Sequence, residues 1–320
     1  MTETKNLSAE VPEDMAGLRL DRVLARLFSD YSRARLQQWI RDGQVSVDGK
    51  QLRPRDKLHG GEQLKVSASL EVESEYQAEP IPLDIVFEDE AMLVINKPAG
   101  LVVHPAVGNR VGTLLNALLH HAPEVAAVPR AGIVHRLDKD TSGLLVVART
   151  LEAHKHLVDQ LQARAFEREY QAVSCGVMTA GGTVDAPIGR HPVHRVRMAV
   201  VNNGKEAVTH YRVIERFRSH THVRVQLETG RTHQIRVHMA HIRYPLIGDP
   251  LYGGRLRIPQ GCSETLLDTL KKFKRQALHA ARLGLVHPSS GEELSWQAEL
   301  PQDMQHLLAA LKDDLVNEEQ

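Results

Sequence analysis

The first fifth of the chain carries apolar residues in two kinds of pattern. Residues 18–28 and 32–41 place apolar side chains every three or four positions, which predicts two short amphipathic helices. Residues 45–47 and 64–66 have the pattern of short strands, and Asp48-Gly49 between them is a strong hairpin turn. These patterns predict a small unit of two helices and a short sheet.

Short apolar runs after residue 83 predict a second, larger unit. Its predicted strands are 84–87, 92–95 and 144–147, and its predicted helices are 113–121, 151–163 and 264–273. Because strands and helices do not alternate regularly, a mixed sheet of the α+β class is favoured over a doubly wound parallel sheet. The acidic stretch that ends in Pro80-Ile81-Pro82 is typical of a linker. The predicted parts are an acidic N-terminal extension (1–17), a small domain (18–75), a linker (76–82) and a large domain (83–320).

The distribution of charge says more than the net charge, which is zero over 320 residues. Residues 18–66 contain eleven Lys or Arg against six Asp or Glu, whereas both ends of the chain are acidic. A local basic patch is compatible with RNA binding, since contacts with phosphate depend on the local charge. No apolar run approaches the roughly 20 residues of a membrane helix, so we expect a cytoplasmic protein that does not enter a membrane.

The cysteines and histidines do not have the spacing of a metal site. Cys175 and Cys262 lie far apart, with no second thiol or histidine at ligand spacing near either. His233 and His238 are five positions apart, which on a helix directs them to different faces. We therefore expect no metal ion.

One polar turn carries the candidate chemistry: His135-Arg136-Leu137-Asp138-Lys139-Asp140-Thr141-Ser142-Gly143, just before the apolar run 144–148. It presents Asp138 beside buried backbone, as is typical of a nucleophile or general base. The turn alone leaves a second interpretation open, a magnesium-dependent phosphatase that works through an aspartyl-phosphate on Asp138 or Asp140. That class needs a later pair of acids for the metal, and Gly248-Asp249-Pro250 offers one.

Three further segments, taken with this turn, resemble the RluA family of pseudouridine synthases over nearly the whole chain. They are Asn96-Lys97-Pro98-Ala99-Gly100, Arg168-Glu169-Tyr170-Gln171-Ala172 and Leu227-Glu228-Thr229-Gly230-Arg231-Thr232-His233-Gln234-Ile235-Arg236-Val237-His238. The resemblance implies a cofactor-free isomerase that converts uridine in RNA to pseudouridine. It also implies a mixed-sheet catalytic domain, and the basic N-terminal pattern resembles the small S4 RNA-binding module.

The resemblance also implies roles for individual residues. Asp138 would act as the nucleophile, and Arg236 would pair with it, because a neighbouring positive charge keeps a carboxylate ionised. Tyr170 would stack on a flipped base and move a proton, with Ile235 packed beneath its ring. From the residues alone, Tyr170 could equally be a core residue and Arg236 an ordinary salt-bridge partner. Active-site support is predicted from Ile235, Arg136 and Thr141.

RNA contacts are predicted from basic and polar residues in four segments: Arg33, Gln37, Arg41, His135, Arg190, His191, Arg195, Arg197, Arg231 and His233. Three of these, Arg33, Gln37 and Arg41, share one face of the second predicted helix. The run from Arg190 to Arg197 resembles a loop that family members close over RNA. A solvated charged surface explains both sets as well.

The substrate is implied by more specific likeness. Residues 190–192, 198–200, 207–212 and 248–255 resemble the family members that act on large-subunit ribosomal RNA, which implies the helix 69 stem-loop of 23S rRNA as the target. Other rRNA or tRNA sites, and an S4-type RNA-binding protein without activity, are the alternatives. No heptad pattern indicates an obligate partner chain, so a monomer is expected.

Overall fold

A computed structural model describes residues 3–28, 31, 33–70, 76–105, 109–194 and 196–316. Its helices are α1 (Leu20–Leu27), α2 (Arg33–Arg41), α3 (Leu114–His121), α4 (Leu151–Gln162), α5 (Gln234–His241), α6 (Glu264–Lys272) and α7 (Gln302–Val316). Its strands are β1 (Glu3–Glu10), β2 (Val45–Val47), β3 (Gln63–Leu70), β4 (Ile85–Glu88), β5 (Met92–Lys97), β6 (Ser142–Ala148), β7 (Glu167–Cys175), β8 (Gly182–Asp185), β9 (Ile188–Arg190), β10 (Met198–Val200), β11 (Val208–Arg216), β12 (His220–Leu227), β13 (Leu278–Val286) and β14 (Glu293–Gln297).

The N-terminal part is a small antiparallel sheet in the order β1-β3-β2, covered by α1 and α2. Its core contains Leu20, Leu24, Leu36 and Trp39, all buried. The strand β1 lies where we expected an acidic extension. That expectation overlooked the alternation of Leu7 with polar neighbours, which suits an edge strand with one buried face.

The large sheet has the order β4-β5-β6-β13-β7-β12-β11-β8, with β14 also paired to β13. Its strands are antiparallel except for the parallel pair β6 and β13. A mixed sheet with helices on it confirms the predicted α+β class. The β9–β10 hairpin stands apart from this sheet.

Two layers of side chains bury the middle of the large sheet. Along β5, Leu93 and Ile95 face the layer that contains α3, whereas Met92 and Val94 face the layer that contains α4. The strand β6 is buried along its whole length, as expected of a central strand covered on both faces. This rigid centre carries the polar turn at residues 135–141 on the edge where β6 begins.

The two parts of the chain are in contact through α2 and Tyr31, which precedes it. The Tyr31 hydroxyl donates to Glu152 Oε1 at 3.2 Å, and Arg35 Nη2 donates to the carbonyl of Ala127 at 2.6 Å. The predicted linker, residues 76–82, runs beside α3, where the amide of Asn116 donates to the Gln77 carbonyl at 2.7 Å. Helices α6 and α7, the second of which we did not predict, pack together at the C-terminal end.

Candidate active site

The turn that presents Asp138 is fastened from several directions. The Thr141 amide donates to the Asp138 carbonyl at 3.1 Å, and the Thr141 hydroxyl accepts from Gln276 Nε2 at 3.0 Å. Arg275 Nη1 donates to the carbonyl of Asp140 at 3.2 Å. Thr141 is buried at the edge of the cleft, and these two hydrogen bonds make it part of the support of the turn. Gln276 and Arg275 precede β13, the parallel neighbour of β6, which explains how residues so distant in sequence reach the turn.

Lys97 is a completely buried cation beneath the same turn. Its Nζ donates to the carbonyls of Pro98 at 2.7 Å, Leu101 at 3.0 Å and Lys139 at 2.9 Å. Burial lowers the pKa of Lys97 to about 8, although the charges of Asp140 and Asp138 act in the opposite direction. Lys97 thus ties the Pro98–Leu101 segment to the turn that bears Asp138.

Arg236 joins Asp138 to a second, buried carboxylate. Its Nη1 donates to Asp138 Oδ2 at 2.8 Å, while Nε and Nη2 form a bidentate pair with Asp249 at 2.7 and 2.9 Å. Burial alone would lower the pKa of Arg236, but the hydrogen bonds and charge of Asp249, with the charge of Asp138, raise it. Asp249 also accepts from the amides of Leu251 and Tyr252. Arg236 is therefore a permanently charged partner held in one orientation.

The other oxygen of Asp138 faces His233. The distance from His233 Nε2 to Asp138 Oδ1 is 3.8 Å. On the far side of the ring, His233 Nδ1 lies 2.8 Å from the Tyr252 hydroxyl, which accepts from the Met198 amide at 2.9 Å. With that amide as its donor, the Tyr252 hydroxyl can give its own proton to Nδ1, which leaves the Nε2 proton directed at Asp138. Burial lowers the pKa of His233, which favours the neutral ring.

Asp138 opens into a cleft of about 630 Å³ between the polar turn and the segment from Leu227 to Arg236. Tyr170 and Ile235 are both buried and both line it, in the same apolar cluster. Burial raises the pKa of Tyr170, so its hydroxyl stays protonated at neutral pH. The structure thus brings Asp138, Tyr170, Ile235 and Arg236 together, as their predicted roles require.

The other residues predicted to lie at the site differ in their exposure and in their hydrogen-bond partners. Arg136 is exposed at its mouth. His135 Nε2 accepts from the Val146 amide at 3.1 Å, and burial lowers the pKa of His135 to about 3, so this ring supports β6. Arg231 Nε donates to the carbonyl of Glu206 at 2.9 Å, while its guanidinium borders the cleft. Gln234, which we did not predict, shapes this segment by bonding Thr229, Thr209 and two backbone groups.

The predicted basic loop is the β9–β10 hairpin and its tip. Arg190 is exposed, and Arg197 is partly buried. His191 Nδ1 accepts from the amides of Val193 and His194, so its ring shapes the tip. Arg195 lies outside the described residues. Arg190, His191 and Arg197 do not border the cleft, but Met198 at the base of the hairpin connects it to Tyr252.

Two side chains on the predicted RNA-binding face of α2 form hydrogen bonds within the protein. Arg33 Nη2 and Gln37 Nε2 each donate to Asp21 Oδ2 at 2.6 Å, and Arg19 adds further bonds to the same carboxylate. Asp21 has no exposed side-chain surface, whereas the Arg33 side chain is 48% exposed. Arg41 is exposed on the last turn of the helix. Arg33 can thus hold Asp21 and still offer surface to a ligand.

Two absences hold for the part of the chain that the structure describes. No group of three or more His, Cys, Asp or Glu residues there is arranged to hold a metal ion. No helix in the same part is both long enough and apolar enough to cross a membrane.

Comparison with known proteins agrees with this geometry. Residues 91–241 match the RNA pseudouridylate synthase model, and residues 18–64 match the S4 domain model. The chain is 61% identical over 314 residues to the ribosomal large subunit pseudouridine synthase D of Pseudomonas aeruginosa, covering 98% of each chain. It is 58% identical to the protein of that name from Escherichia coli K12, covering 98% of this chain and 97% of the other.

A solved structure adds a fold-level likeness. Human RNA pseudouridylate synthase domain containing 4 superposes with a TM-score of 0.56 at 29% identity, covering 71% of this chain and 92% of the human one. The N-terminal part is therefore an S4 domain, and the mixed sheet is a pseudouridine synthase domain. The chain belongs to the RNA pseudouridylate synthase family.

Proposed function

We propose that this enzyme isomerises uridine to pseudouridine in the helix 69 stem-loop of 23S ribosomal RNA, with Asp138 as nucleophile. The target RNA is carried over from relatives named as large-subunit synthases, which match almost the whole chain. One observation supports Asp138 as the nucleophile: its Oδ2 is ion-paired to Arg236, while its Oδ1 faces His233 in the cleft.

Asp138, Arg236 and Tyr170 each have a role in the proposed reaction. The glycosidic bond of uridine must break, the uracil must turn over, and a carbon–carbon bond to the ribose must form. Asp138 reacts with the sugar or the base, Arg236 keeps the carboxylate ionised, and Tyr170 offers a flat face to the detached uracil. Attack on C1′, addition to C6 of uracil and elimination to a glycal all use these same side chains.

The depth of the cleft means that the target nucleotide has to leave its stack. Tyr170 is only 7% exposed, so a base that reaches its ring cannot remain paired or stacked in RNA. Extrusion costs a few kcal/mol and is easiest for a loop nucleotide. Arg136 at the mouth of the cleft is placed to contact the RNA backbone that stays outside.

The remaining parts of the proposal concern partners. The S4 domain would add phosphate contacts outside the cleft through Arg33, Gln37 and Arg41. The hairpin residues Arg190, His191, Arg195 and Arg197 would contact RNA above the cleft. The enzyme would act in the cytoplasm as a monomer and without a cofactor.

Pseudouridine mapping of ribosomal RNA tests this proposal. Cells that lack the protein should lose pseudouridine from the helix 69 loop, and the intact chain should restore it. Asp138→Asn should restore none, at equal protein abundance. Unchanged marks in helix 69 would remove the assigned substrate and direct the search to other rRNA or tRNA uridines. Restoration by Asp138→Asn would remove the assigned nucleophile.

A further inference from the structure

Arg168 is a buried cation in the wall of the cleft. It lies two positions before Tyr170 on β7, so both side chains project from the same face of the strand. Its side chain is among the buried charged groups of the molecule, with a relative exposure of 8%, and it borders the cleft together with His135 and Gly230. Unlike Arg236, it has no carboxylate partner among the described residues.

The hydrogen bonds of Arg168 leave most of its donors unused. Nη2 donates to the carbonyl of Glu228 at 3.2 Å, and Nε is buried without a partner in the part of the chain that is described. The Glu228 carboxylate is itself engaged by Arg164 and His210. A buried guanidinium with one neutral acceptor is costly, because no carboxylate of the described residues pairs with its charge.

At the wall of the cleft, the guanidinium of Arg168 packs against the backbone of Gly230. A Cβ at Gly230 would lie 2.8 Å from Arg168 Nη1, so the glycine keeps the backbone bare where the guanidinium approaches it. Such close access to backbone is common where proteins bind phosphate. The Cα atoms of Arg168 and Tyr170 are about 6.6 Å apart on an extended strand. A base and the phosphates of its own nucleotide are separated only by the ribose, which matches this short spacing.

We propose that Arg168 binds a phosphodiester group that flanks the flipped uridine, and so anchors the target nucleotide while its base lies on Tyr170. The inference rests on the proposed function in so far as RNA is the substrate. The phosphate supplies the missing counter-ion, and a guanidinium can donate two parallel hydrogen bonds to it. Arg168 thereby acts inside the cleft on the one nucleotide that reacts.

Salt-dependent binding separates a phosphate contact from other roles. The test compares the intact chain, Arg168→Gln and Arg168→Lys on the RNA that the intact chain modifies. Arg224→Gln is the matched control, because Arg224 sits on β12, is exposed and pairs with Glu169 outside the cleft. We expect Arg168→Gln to weaken binding about 10- to 100-fold. The slope of log K against log salt should decrease by about 0.7 to 0.9. Arg168→Lys should keep the slope and recover part of the affinity, and Arg224→Gln should change neither.

A neutral phosphate locates the contact. RNA with a methylphosphonate on one side of the target uridine, then on the other, should bind the intact chain more weakly. At one of the two positions Arg168→Gln should show no further loss. The phosphate site would be overturned if the affinity losses from the methylphosphonate and from Arg168→Gln were additive at both positions, or if Arg168→Gln left the salt slope unchanged. An unchanged slope with a slower single-turnover rate would mean that Arg168 contacts the uracil instead.

Thermal unfolding distinguishes binding from a structural role. Since Arg168 lacks a counter-ion in the free protein, Arg168→Gln should unfold at the same or a higher temperature. A lower unfolding temperature with unchanged salt slope would make the residue structural and overturn the proposal. If the intact chain leaves helix 69 unmodified but Arg168→Gln still reduces the salt slope on the RNA it binds, the assigned substrate fails and the phosphate site stands.

Discussion

Each domain contains a cluster of arginine and aspartate side chains, and the aspartate differs between the two in how many of its oxygens are hydrogen-bonded. In the S4 domain, both oxygens of Asp21 accept hydrogen bonds, from Arg19, Arg33 and Gln37, and the carboxylate is fully buried. In the cleft, the buried member is Arg236, while Asp138 keeps 15% of its side chain exposed. Because both of its oxygens are hydrogen-bonded, the Asp21 carboxylate is structural. In Asp138, Oδ2 is bonded to Arg236 and Oδ1 is available to a substrate.

The largest expected effect comes from the available carboxylate. Asp138→Asn should lower the single-turnover rate by about 10⁴-fold or more, as loss of a nucleophile does in other enzymes. The unfolding temperature should change little, because Asp249 still neutralises Arg236. Asp140→Asn in the same turn is the control and should retain most of the rate. Equal losses in the two variants would mean that the turn as a whole, and not Asp138, carries the activity.

Asp249→Asn tests the partner that holds Arg236. Since the Arg236 side chain is 5% exposed, loss of its bidentate partner leaves a buried charge poorly compensated. We expect the free energy of unfolding to fall by about 3 to 5 kcal/mol, measured with urea. Asp303→Asn is the control, since Asp303 forms the same bidentate pair with Arg275 but is 46% exposed. Arg275 is 11% exposed but keeps the carbonyls of Asp140, Gln276 and Leu278 as acceptors, so the loss should be smaller, about 1 to 2 kcal/mol. Similar costs would show that burial is not what separates the two pairs.

Asp21→Asn should have a smaller cost than Asp249→Asn. Its arginine partners are 42% and 48% exposed, so water can solvate them once the carboxylate charge is gone. We expect a loss of about 2 kcal/mol in the free energy of unfolding, with kcat unchanged below the unfolding transition. A lowered kcat in folded protein would contradict a purely structural role for this cluster.

Tyr252→Phe removes the hydroxyl that orients His233. Without it, the His233 ring has no partner at Nδ1 and its proton can sit on either nitrogen. We expect kcat to fall about tenfold with KM nearly unchanged, which corresponds to about 1.4 kcal/mol. Tyr244→Phe, at a half-buried tyrosine outside the cleft, is the control. A rise in KM at constant kcat would instead place Tyr252 in substrate binding.

The smallest effect concerns acid stability. Burial alone would raise the pKa of Asp21, but hydrogen bonds and charge from Arg33, with Gln37 and Arg19, lower it below the ordinary value of 3.8. A lowered folded pKa stabilises the native state above the unfolded value, and this contribution disappears as pH falls through the folded value. The intact chain and Asp21→Asn should therefore differ most in unfolding free energy near neutral pH, and the difference should shrink as the pH falls below 3.8 and through the lowered folded pKa. A constant difference across that range would contradict the assigned shift.

The comparison also shows how far a single sequence leads. Periodicity placed α1 to α4, α6 and the central strands within a few residues, because those segments bury one face or both. It missed β1, whose apolar positions are sparse, and α7, whose apolar face packs on α6. The motifs predicted roles for Asp138, Tyr170 and Arg236. Asp249 and Tyr252 lay in a segment that the sequence analysis noted, but without their roles as partners of Arg236 and His233, and Gln276 was not noted at all. The contacts of these three residues form only when particular segments become neighbours in the fold, and the local sequence pattern does not show which segments do.

The parallel pair β6 and β13 has a consequence for biosynthesis. Arg275 and Gln276, which steady the turn that bears Asp138, leave the ribosome some 135 residues after it. The S4 domain is complete long before then, and domains tend to fold in the order of synthesis. A nascent chain can therefore hold a folded RNA-binding module while the turn that bears Asp138, the proposed nucleophile, is still unsupported. On the proposed function, the growing chain gains the capacity to bind RNA well before the capacity to modify it, which arrives when translation is nearly finished.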